Sequence, residues 1–173
     1  TQTLESMLNR LDRGDPNGIF NQSIVRTYTG AINYKSRLIK EFDKKLSAIG
    51  RIDGLDNLVE NNVFKLADGS FLKMSRRNVL GVLANAGNES NLKKLAKGYH
   101  TTPEEIMTWL LANTTKEDWV RQQKIGKIFD ELFRMTEDMS HELNGVAPPK
   151  VELKPFTNVH GTFDGWYHPL KGD

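Results

Sequence analysis

The strongest structural signal in the chain is TKEDWVRQQKIGKIFDELFRMTEDMSHELNG, residues 115–145. Thr115 and Asp118 have the spacing of a capping box, in which two side chains satisfy the free N–H groups at a helix start. Apolar residues then recur on one broad face, and Gly145 suits the position that follows a helix. The proline pair at 148–149 prevents the helix from resuming. This stretch predicts a long amphipathic helix and therefore a mainly α fold.

A second long helical pattern covers residues 19–49. Its apolar residues alternate steps of three and four, with one gap at Lys35. They are Val25, Tyr28, Ile32, Ile39, Phe42, Leu46 and Ile49. Capping residues at Ser75, Asn88 and Thr102 predict shorter helices between the two long ones. We expect the two long helices to form the core of a helical bundle.

Two other segments depart from the helical pattern. Residues 63–74 have apolar flanks around Asp68-Gly69, which suits the positive φ angles of a tight turn, so we predict one small β-hairpin there. Residues 150–173 are rich in Pro and Gly without periodicity, which predicts an extended C-terminal tail. We therefore expect a helical domain over residues 1–149, followed by a tail that leads to a further module.

Composition excludes several classes of function. The chain has 173 residues and no cysteine, which excludes a disulfide scaffold, a thiol nucleophile and any zinc site that uses cysteine. The net charge of +2 lowers the expectation of non-specific nucleic-acid binding. No apolar run approaches the length of a transmembrane helix. Because the first residue is Thr1 and no signal peptide follows, we expect a segment of a longer polypeptide, with removal of an initiator Met by N-terminal processing as the alternative.

A local excess of positive charge lies on the first long helix. Five basic residues fall within eleven positions that hold two acidic ones. The basic residues are Lys35, Arg37, Lys40, Lys44 and Lys45. Such a face suits nucleic acid, an acidic partner or lipid head groups. A solvated helix face is the more common explanation of a charge run like this one.

Residues 92–106 have the rhythm of a helix-turn-helix, with a short helix, a turn at Gly98 and a capped second helix. The positions that would meet base edges hold Glu104 and Glu105, which repel phosphate. Two core helices joined by a tight turn are therefore the favoured interpretation.

The sequence around Glu89 gives little support for a catalytic role of this residue. The sequence Asn88-Glu89-Ser90 matches the Glu-Ser pair of lytic transglycosylases. The glycine-rich sequence expected downstream in that family is absent, and an acid in the first turn of a helix is stabilised by the helix dipole in any protein. We expect no catalytic residue here.

The sequence also gives little support for a metal site. His160, Asp164 and His168 are spaced by four residues and supply ligand types that transition metals accept. The surrounding glycine-rich loop is not helical, so this spacing does not place them on one face. We expect solvated or hydrogen-bonded loop histidines, no metal and no cofactor.

Four blocks of sequence stand in order between residue 78 and the end of the chain. The first is LANAGN at 83–88 with Asn91 and Leu95, and the second is Asp118-Trp119 with Gln122, Ile125, Phe129 and Asp130. The third is ELNGVAPPKV at 142–151, and the fourth is GWYHPLK at 165–171. Together the blocks resemble a region that recurs in large polyvalent proteins, which are very large multi-domain proteins of phages, prophages and conjugative plasmids.

The resemblance implies a non-catalytic structural or interaction segment of a giant protein that is packaged in a virion or ejected with DNA. It implies other segments of the same polypeptide or other virion proteins as partners, and a location in the virion and then in the host cell. A nucleic-acid-binding accessory domain that uses the basic face and a peptidoglycan hydrolase segment stay open as alternatives. The residues expected to serve packing or chain direction are Asn85, Gly87, Asn88, Trp119, Gly145, Pro148, Trp166, Tyr167 and Pro169.

Overall fold

The computed structural model of the chain describes residues 4–15, 17–19, 21–146 and 152–168. These residues are mainly helical, with two small antiparallel two-stranded sheets, which confirms the predicted mainly α class. The chain divides into two compact units, Thr1–Ala48 and Ile49–Asp173. Within the described ranges, no helix has both the length and the apolar content needed to cross a bilayer.

The first unit contains the first of the two long helices. Helix α1 spans Leu4–Leu11, and α2 spans Arg26–Ser47. A π-helical turn at Asn21–Val25 precedes α2, where the sequence predicts a continuous α-helix from residue 19. Gly50 follows α2 with a φ of 90°, the left-handed conformation expected of a residue just beyond a helix end.

The second unit begins with a loop whose ends pair as strands. Strand β1 spans Leu58–Val59 and pairs antiparallel with β2, Met74–Ser75. The hairpin predicted at 63–74 is reduced to a single bridge between Lys65 and Phe71. The Leu72 amide donates across this loop to the Phe64 carbonyl over 2.9 Å. The side chain of Asn61 adds to that bond, because it donates to the carbonyls of Phe64 and Leu72 and accepts from the Val63 and Phe64 amides.

The tight turn within this loop lies where the sequence places it. The Leu66 amide donates to the Ser70 carbonyl over 2.8 Å, and Gly69 has a φ of 82°. The Asp68 carboxylate accepts from the backbone N–H and the hydroxyl of Ser70. These hydrogen bonds lower the pKa of Asp68 below its ordinary value.

Four helices form the body of the second unit, and each begins at the capping residue that the sequence predicts. Helix α3 spans Arg76–Ala86, α4 spans Glu89–Gly98, α5 spans Pro103–Asn113 and α6 spans Lys116–Asn144. The caps are Ser75, Asn88, Thr102 and Thr115. Gly145 ends α6 with a φ of 68°, and its N–H donates to the carbonyl of His141.

The C-terminal segment contains a hairpin that the sequence analysis did not predict. Strand β3, Phe156–Asn158, pairs with β4, Gly161–Phe163. The Asn158 side chain accepts from the His160 amide and so fixes the turn. The predicted boundary between residues 149 and 150 lies outside the described residues.

Buried side chains from α3, α4, α5, α6, β2 and β4 form one core cluster. Its members are Phe64, Met74, Val79, Val82, Leu83, Ala86, Leu92, Ala96, Ile106, Trp109, Leu110, Trp119, Phe163 and Trp166. Every member belongs to the second unit, and none of the described side chains of α2 is among them. Within the second unit, the core combines α6 with three short helices and the C-terminal segment. The packing of the two long helices into one bundle stays a prediction.

Candidate functional site

Trp166 is the centre of the residues that the sequence analysis singles out. Its side chain is 1% exposed, and its indole N–H donates to the carbonyl of Ala84 over 3.0 Å. Its backbone N–H donates to the carbonyl of Gly87 over 3.2 Å. A Cβ atom at Gly87 or Gly126 would overlap the Trp166 side chain, so both glycines provide the space that the indole occupies. The C-terminal segment is therefore attached to the end of α3 and the middle of α6.

Trp119 forms the second half of this aromatic cluster. It is fully buried, and its indole N–H donates to the hydroxyl of Thr114 over 2.8 Å. Its ring centroid lies 5.6 Å from that of Phe163 and 6.2 Å from that of Trp166. Phe156, at 6.1 Å, completes the cluster. Edge and tilted contacts of this kind add to the free energy gained by burying the rings.

Polar side chains hold the segment after Trp166. Asn91, which is 1% exposed, donates through Nδ2 to the backbone carbonyl of His168 over 2.7 Å. Gln122 lies 2.7 Å from Nε2 of the same histidine. Burial lowers the pKa of His168 below its ordinary value of 6.5. A neutral imidazole can accept at Nε2 from the Gln122 amide, so the hydrogen bond and the pKa agree.

The residues predicted to serve packing fall into three groups. The first group lies in the docked segment or against it: Asn85, Gly87, Asn88, Trp119, Trp166 and Tyr167. Asn88 and Asn85 accept hydrogen bonds from Asn91, and the ring of Tyr167 contacts that of Phe133. Gly145 lies at the far end of α6 and ends that helix. Pro148 and Pro169 lie outside the described residues.

Four further residues take part in the docking: Asn91, Gln122, Gly126 and His168. Asn91, Gln122 and His168 belong to the four blocks of sequence but were not predicted to serve packing, and Gly126 belongs to none of the blocks. Gly126 carried a signal of a different kind, which the sequence analysis did not use. Gly126 lies in the interior of a helix, where glycine lowers helix stability relative to alanine. Such a glycine indicates a close approach of another group, here the indole of Trp166.

The structure places Glu89 in a setting that does not suit a catalytic acid. The side chain is exposed in the first turn of α4 and forms an ion pair with Lys93. The hydrogen bond from Lys93 lowers the pKa of Glu89 below its ordinary value. A glycosidase acid needs a raised pKa so that it is protonated at neutral pH.

The three candidate metal ligands have separate partners. Asp164 accepts from Gln123 and forms an ion pair with Lys127 over 3.1 Å. His168 meets Gln122, and His160 stacks on Trp119 with ring centroids 6.0 Å apart. Among the residues that the structure describes, no three His, Asp or Glu side chains are grouped so as to hold a metal ion.

The helix-turn-helix candidate corresponds to α4 and α5. The first turn of α5 presents Glu104 and Glu105 to solvent. Glu105 accepts from the Thr101 hydroxyl and the Thr102 amide, and these hydrogen bonds lower its pKa. The opposite face of α5 is buried through Ile106, Trp109 and Leu110. The N-terminus of α5 is therefore negatively charged and exposed, and another face of the same helix packs into the core.

The basic residues of α2 do not form one continuous face. Successive residues of an α-helix turn by 100°, so Arg37, Lys40 and Lys44 project from the same side. All three are exposed. Lys35 projects from another side, and Lys45 is partly buried beside its ion-pair partner Glu41. The candidate nucleic-acid-binding face of α2 therefore has three cationic side chains, whereas the sequence suggested five.

No family model, no curated protein and no solved structure matches this chain.

Proposed function

We propose that the chain is a non-catalytic structural and interaction segment, a helical-bundle module of a large phage-derived protein that is packaged in a virion or ejected from it. The observation that supports the structural role is the docking of residues 152–168. Gln122, Asn91 and His168 form hydrogen bonds that hold this segment in place. These three polar residues thus hold the C-terminal segment against the helices.

The phage setting rests on the four blocks of sequence, and three of these blocks meet around one indole. Gly87 belongs to the first block, Trp119 to the second and Trp166 to the fourth. Gly87 and Trp119 each contact Trp166, Gly87 also through a backbone hydrogen bond. Residues distributed through the sequence therefore act as one packing unit, which supports treating the blocks as a single structural module.

A protein that passes through a narrow channel has to unfold and then refold. Helix-rich folds with mostly local contacts refold quickly, and the absence of cysteine removes slow disulfide exchange. We therefore expect the full chain to refold from urea within about milliseconds, apart from a minor proline phase. Trp119 and Trp166 are buried, so stopped-flow tryptophan fluorescence reports the event. A main phase of seconds that prolyl isomerase does not accelerate would contradict this proposal.

The hydrolase alternative has a direct test. We expect no clearing of a peptidoglycan gel by the wild-type chain or by the Glu89→Gln variant, because the ion pair with Lys93 keeps this carboxylate ionised. Clearing by the wild type that the variant lacks would establish catalysis and overturn the non-catalytic proposal.

A second candidate function, nucleic-acid binding, is favoured by the common side of Arg37, Lys40 and Lys44. Under this alternative, duplex DNA is retarded at about 50 mM salt and released as salt rises. The double change Lys40→Glu with Lys44→Glu then weakens binding at least about tenfold. A matched control changes Lys94 and Lys97, two exposed lysines of α4, to Glu. Equal losses in both variants, or no retardation at low salt, would remove this candidate.

A further inference from the structure

We propose that the C-terminal segment of one copy of this chain docks on the helices of a second copy, so that two chains exchange this segment. The site that receives it, here called the docking cleft, is formed by Gly87, Trp119 and Gly126, and Trp166 fills it. The inference names a partner for the proposed interaction role and rests on it. In the exchanged dimer each docking cleft is incomplete without the Trp166 of the other copy.

The length of the connection between α6 and β3 is the observation that favours exchange. Phe156, the first residue of β3, lies eleven positions after Gly145, which ends α6. The segment returns along α6, because Phe156 contacts Trp119 and Trp166 contacts Gly126. These two positions of α6 lie 26 and 19 residues before Gly145, which correspond to about 39 and 29 Å at 1.5 Å per residue. The connection therefore has to cover about 29–39 Å.

This distance is large for eleven residues. A relaxed flexible chain of that length has an end-to-end distance of about 18 Å, and its fully extended limit is about 36–40 Å. A linker that has to stretch well beyond its relaxed length lowers the effective concentration of the segment at its own cleft. In an exchanged dimer the connection joins the α6 of one copy to the cleft of the other, and the length of α6 does not fix that distance. Short connections under strain favour exchange of this kind.

The contacts of the docked segment are the same in the exchanged arrangement. The indole N–H of Trp166 donates to the Ala84 carbonyl, and its backbone N–H donates to the Gly87 carbonyl. Asn91 donates to the His168 carbonyl. These partners belong to α3, to α4 and to the turn between them, so they accept the segment of either copy alike. The balance between monomer and dimer then depends on the connection and on protein concentration.

The first experiment changes the length of the connection and leaves the docking cleft as it is. The full chain is unfolded in urea, refolded at about 0.5 mM and measured by sedimentation equilibrium, since short linkers give effective concentrations of about 1 mM. We expect a dimer in equilibrium with the monomer. Deletion of Pro148 and Pro149 should strengthen the dimer, because a connection of nine residues reaches at most about 32 Å. Insertion of eight Gly and Ser residues after Lys150 should raise the dissociation constant of the dimer at least about threefold.

The two length variants are matched controls for each other, because both alter the connection alone and the expected changes have opposite signs. A wild type that stays monomeric at about 0.5 mM would overturn the proposal, as would a dimer of equal strength at all three lengths. Refolding kinetics measured at about 1 μM report on the monomer. Failure of the exchange can therefore be told from failure of the structural role.

The second experiment tests whether Trp166 crosses between copies. Gly126→Leu blocks the docking cleft and keeps the segment intact, whereas Trp166→Ala removes the indole and keeps the cleft open. A complete cleft then forms only when the two variants are mixed. We expect the Trp166 indole N–H resonance of isotope-labelled Gly126→Leu to shift when unlabelled Trp166→Ala is added, and not when unlabelled Gly126→Leu is added.

Absence of that shift in a mixture of folded variants would overturn the proposal. Far-UV circular dichroism shows whether each variant keeps its helix content. The length series decides the question if either variant fails to fold, since it leaves every residue of the core unchanged.

Discussion

Two glycines decide whether Trp166 can be buried. Gly87 has a φ of −76°, which any residue can adopt, so the backbone conformation does not require glycine there. The requirement is steric, because a Cβ atom at Gly87 or at Gly126 would overlap the Trp166 side chain. At both positions the absence of a side chain lets an indole approach a helix closely.

We predict that Gly126→Ala lowers the free energy of unfolding by about 1–3 kcal/mol, because the added methyl group displaces Trp166 from its place against α6. The matched control is Gly81→Ala in α3, whose Cβ would have no neighbour within 4 Å. The control should raise stability by about 0.5–1 kcal/mol through helix propensity. Urea denaturation of both variants measures the two changes, and a neutral or stabilising Gly126→Ala would show that the indole is not packed as described.

His168 should make stability depend on pH. Burial lowers its pKa in the folded protein below the ordinary 6.5, so the unfolded chain binds this proton more readily. Stability attributable to His168 is then constant above about pH 6.5 and falls as the pH drops below that value. Urea midpoints between about pH 5 and pH 8 measure this dependence.

The variant His168→Asn should lose this component of the pH profile and retain the rest. The matched control, His100→Asn, changes an exposed histidine with a φ of 51°, a conformation that Asn accepts. It should follow the wild-type profile. Parallel profiles for wild type and His168→Asn would show that burial of this imidazole does not affect folding.

At the scale of elements, one ion pair ties three helices together. Arg76 in the first turn of α3 donates to both carboxylate oxygens of Asp118 in α6, each over 2.6 Å. It also donates to the carbonyl of Asn113 at the end of α5 over 2.9 Å. Asp118 accepts from the Thr115 amide as well, so the same carboxylate caps α6. One buried group therefore sets both the start of a helix and its position against two others.

We predict that Asp118→Asn lowers the free energy of unfolding by about 2–4 kcal/mol, because Arg76 would keep its charge at a site where the Asp118 side chain is 7% exposed. The exposed pair of Asp56 with Arg77 offers a control, since those side chains are 89% and 64% exposed. Asp56→Asn should change stability by less than about 0.5 kcal/mol. Equal effects of the two changes, measured by thermal or urea denaturation, would contradict a buried role for Asp118.

At the scale of the whole molecule, the two compact units differ in their share of buried apolar side chains. The core cluster lies within Ile49–Asp173, and α2 exposes three of the apolar side chains on its predicted stripe. Resistance of backbone amides to hydrogen exchange follows local burial and contact density. We therefore expect α3 and α5 to exchange more slowly than α2.

Trp166→Ala should remove most of the protection of α3, α5 and the first half of α6, since a buried tryptophan contributes about 3–5 kcal/mol relative to alanine. Exchange in α2 should not change, because none of the α2 side chains that the structure describes belongs to the core cluster. Hydrogen exchange followed by mass spectrometry of peptic peptides measures both regions at once. An equal rise in exchange of α2 would show that the two units unfold as one.

Local signals in the sequence determined the helices of this protein. Capping residues such as Thr102 and Thr115 and the glycine at 145 lie beside the ends that they specify, and each acts through hydrogen bonds or φ angles within one turn. The alternating steps of three and four between the apolar residues of α2 also predicted a helix, because this spacing depends on the period of one helix. Neither signal states which elements meet in space.

Tertiary structure decided the rest. Two features depend on which residues pack against each surface. They are the pairing of β3 with β4 and the exposure of apolar residues on α2. The docking of Trp166 joins residues about eighty positions apart, from Ala84 to the C-terminal segment. Contacts between residues this far apart depend on complementary shape. The role of a glycine such as Gly126 is clear only when the position of the indole that packs against it is known. The sequence therefore specified the elements, and packing between distant residues specified the core.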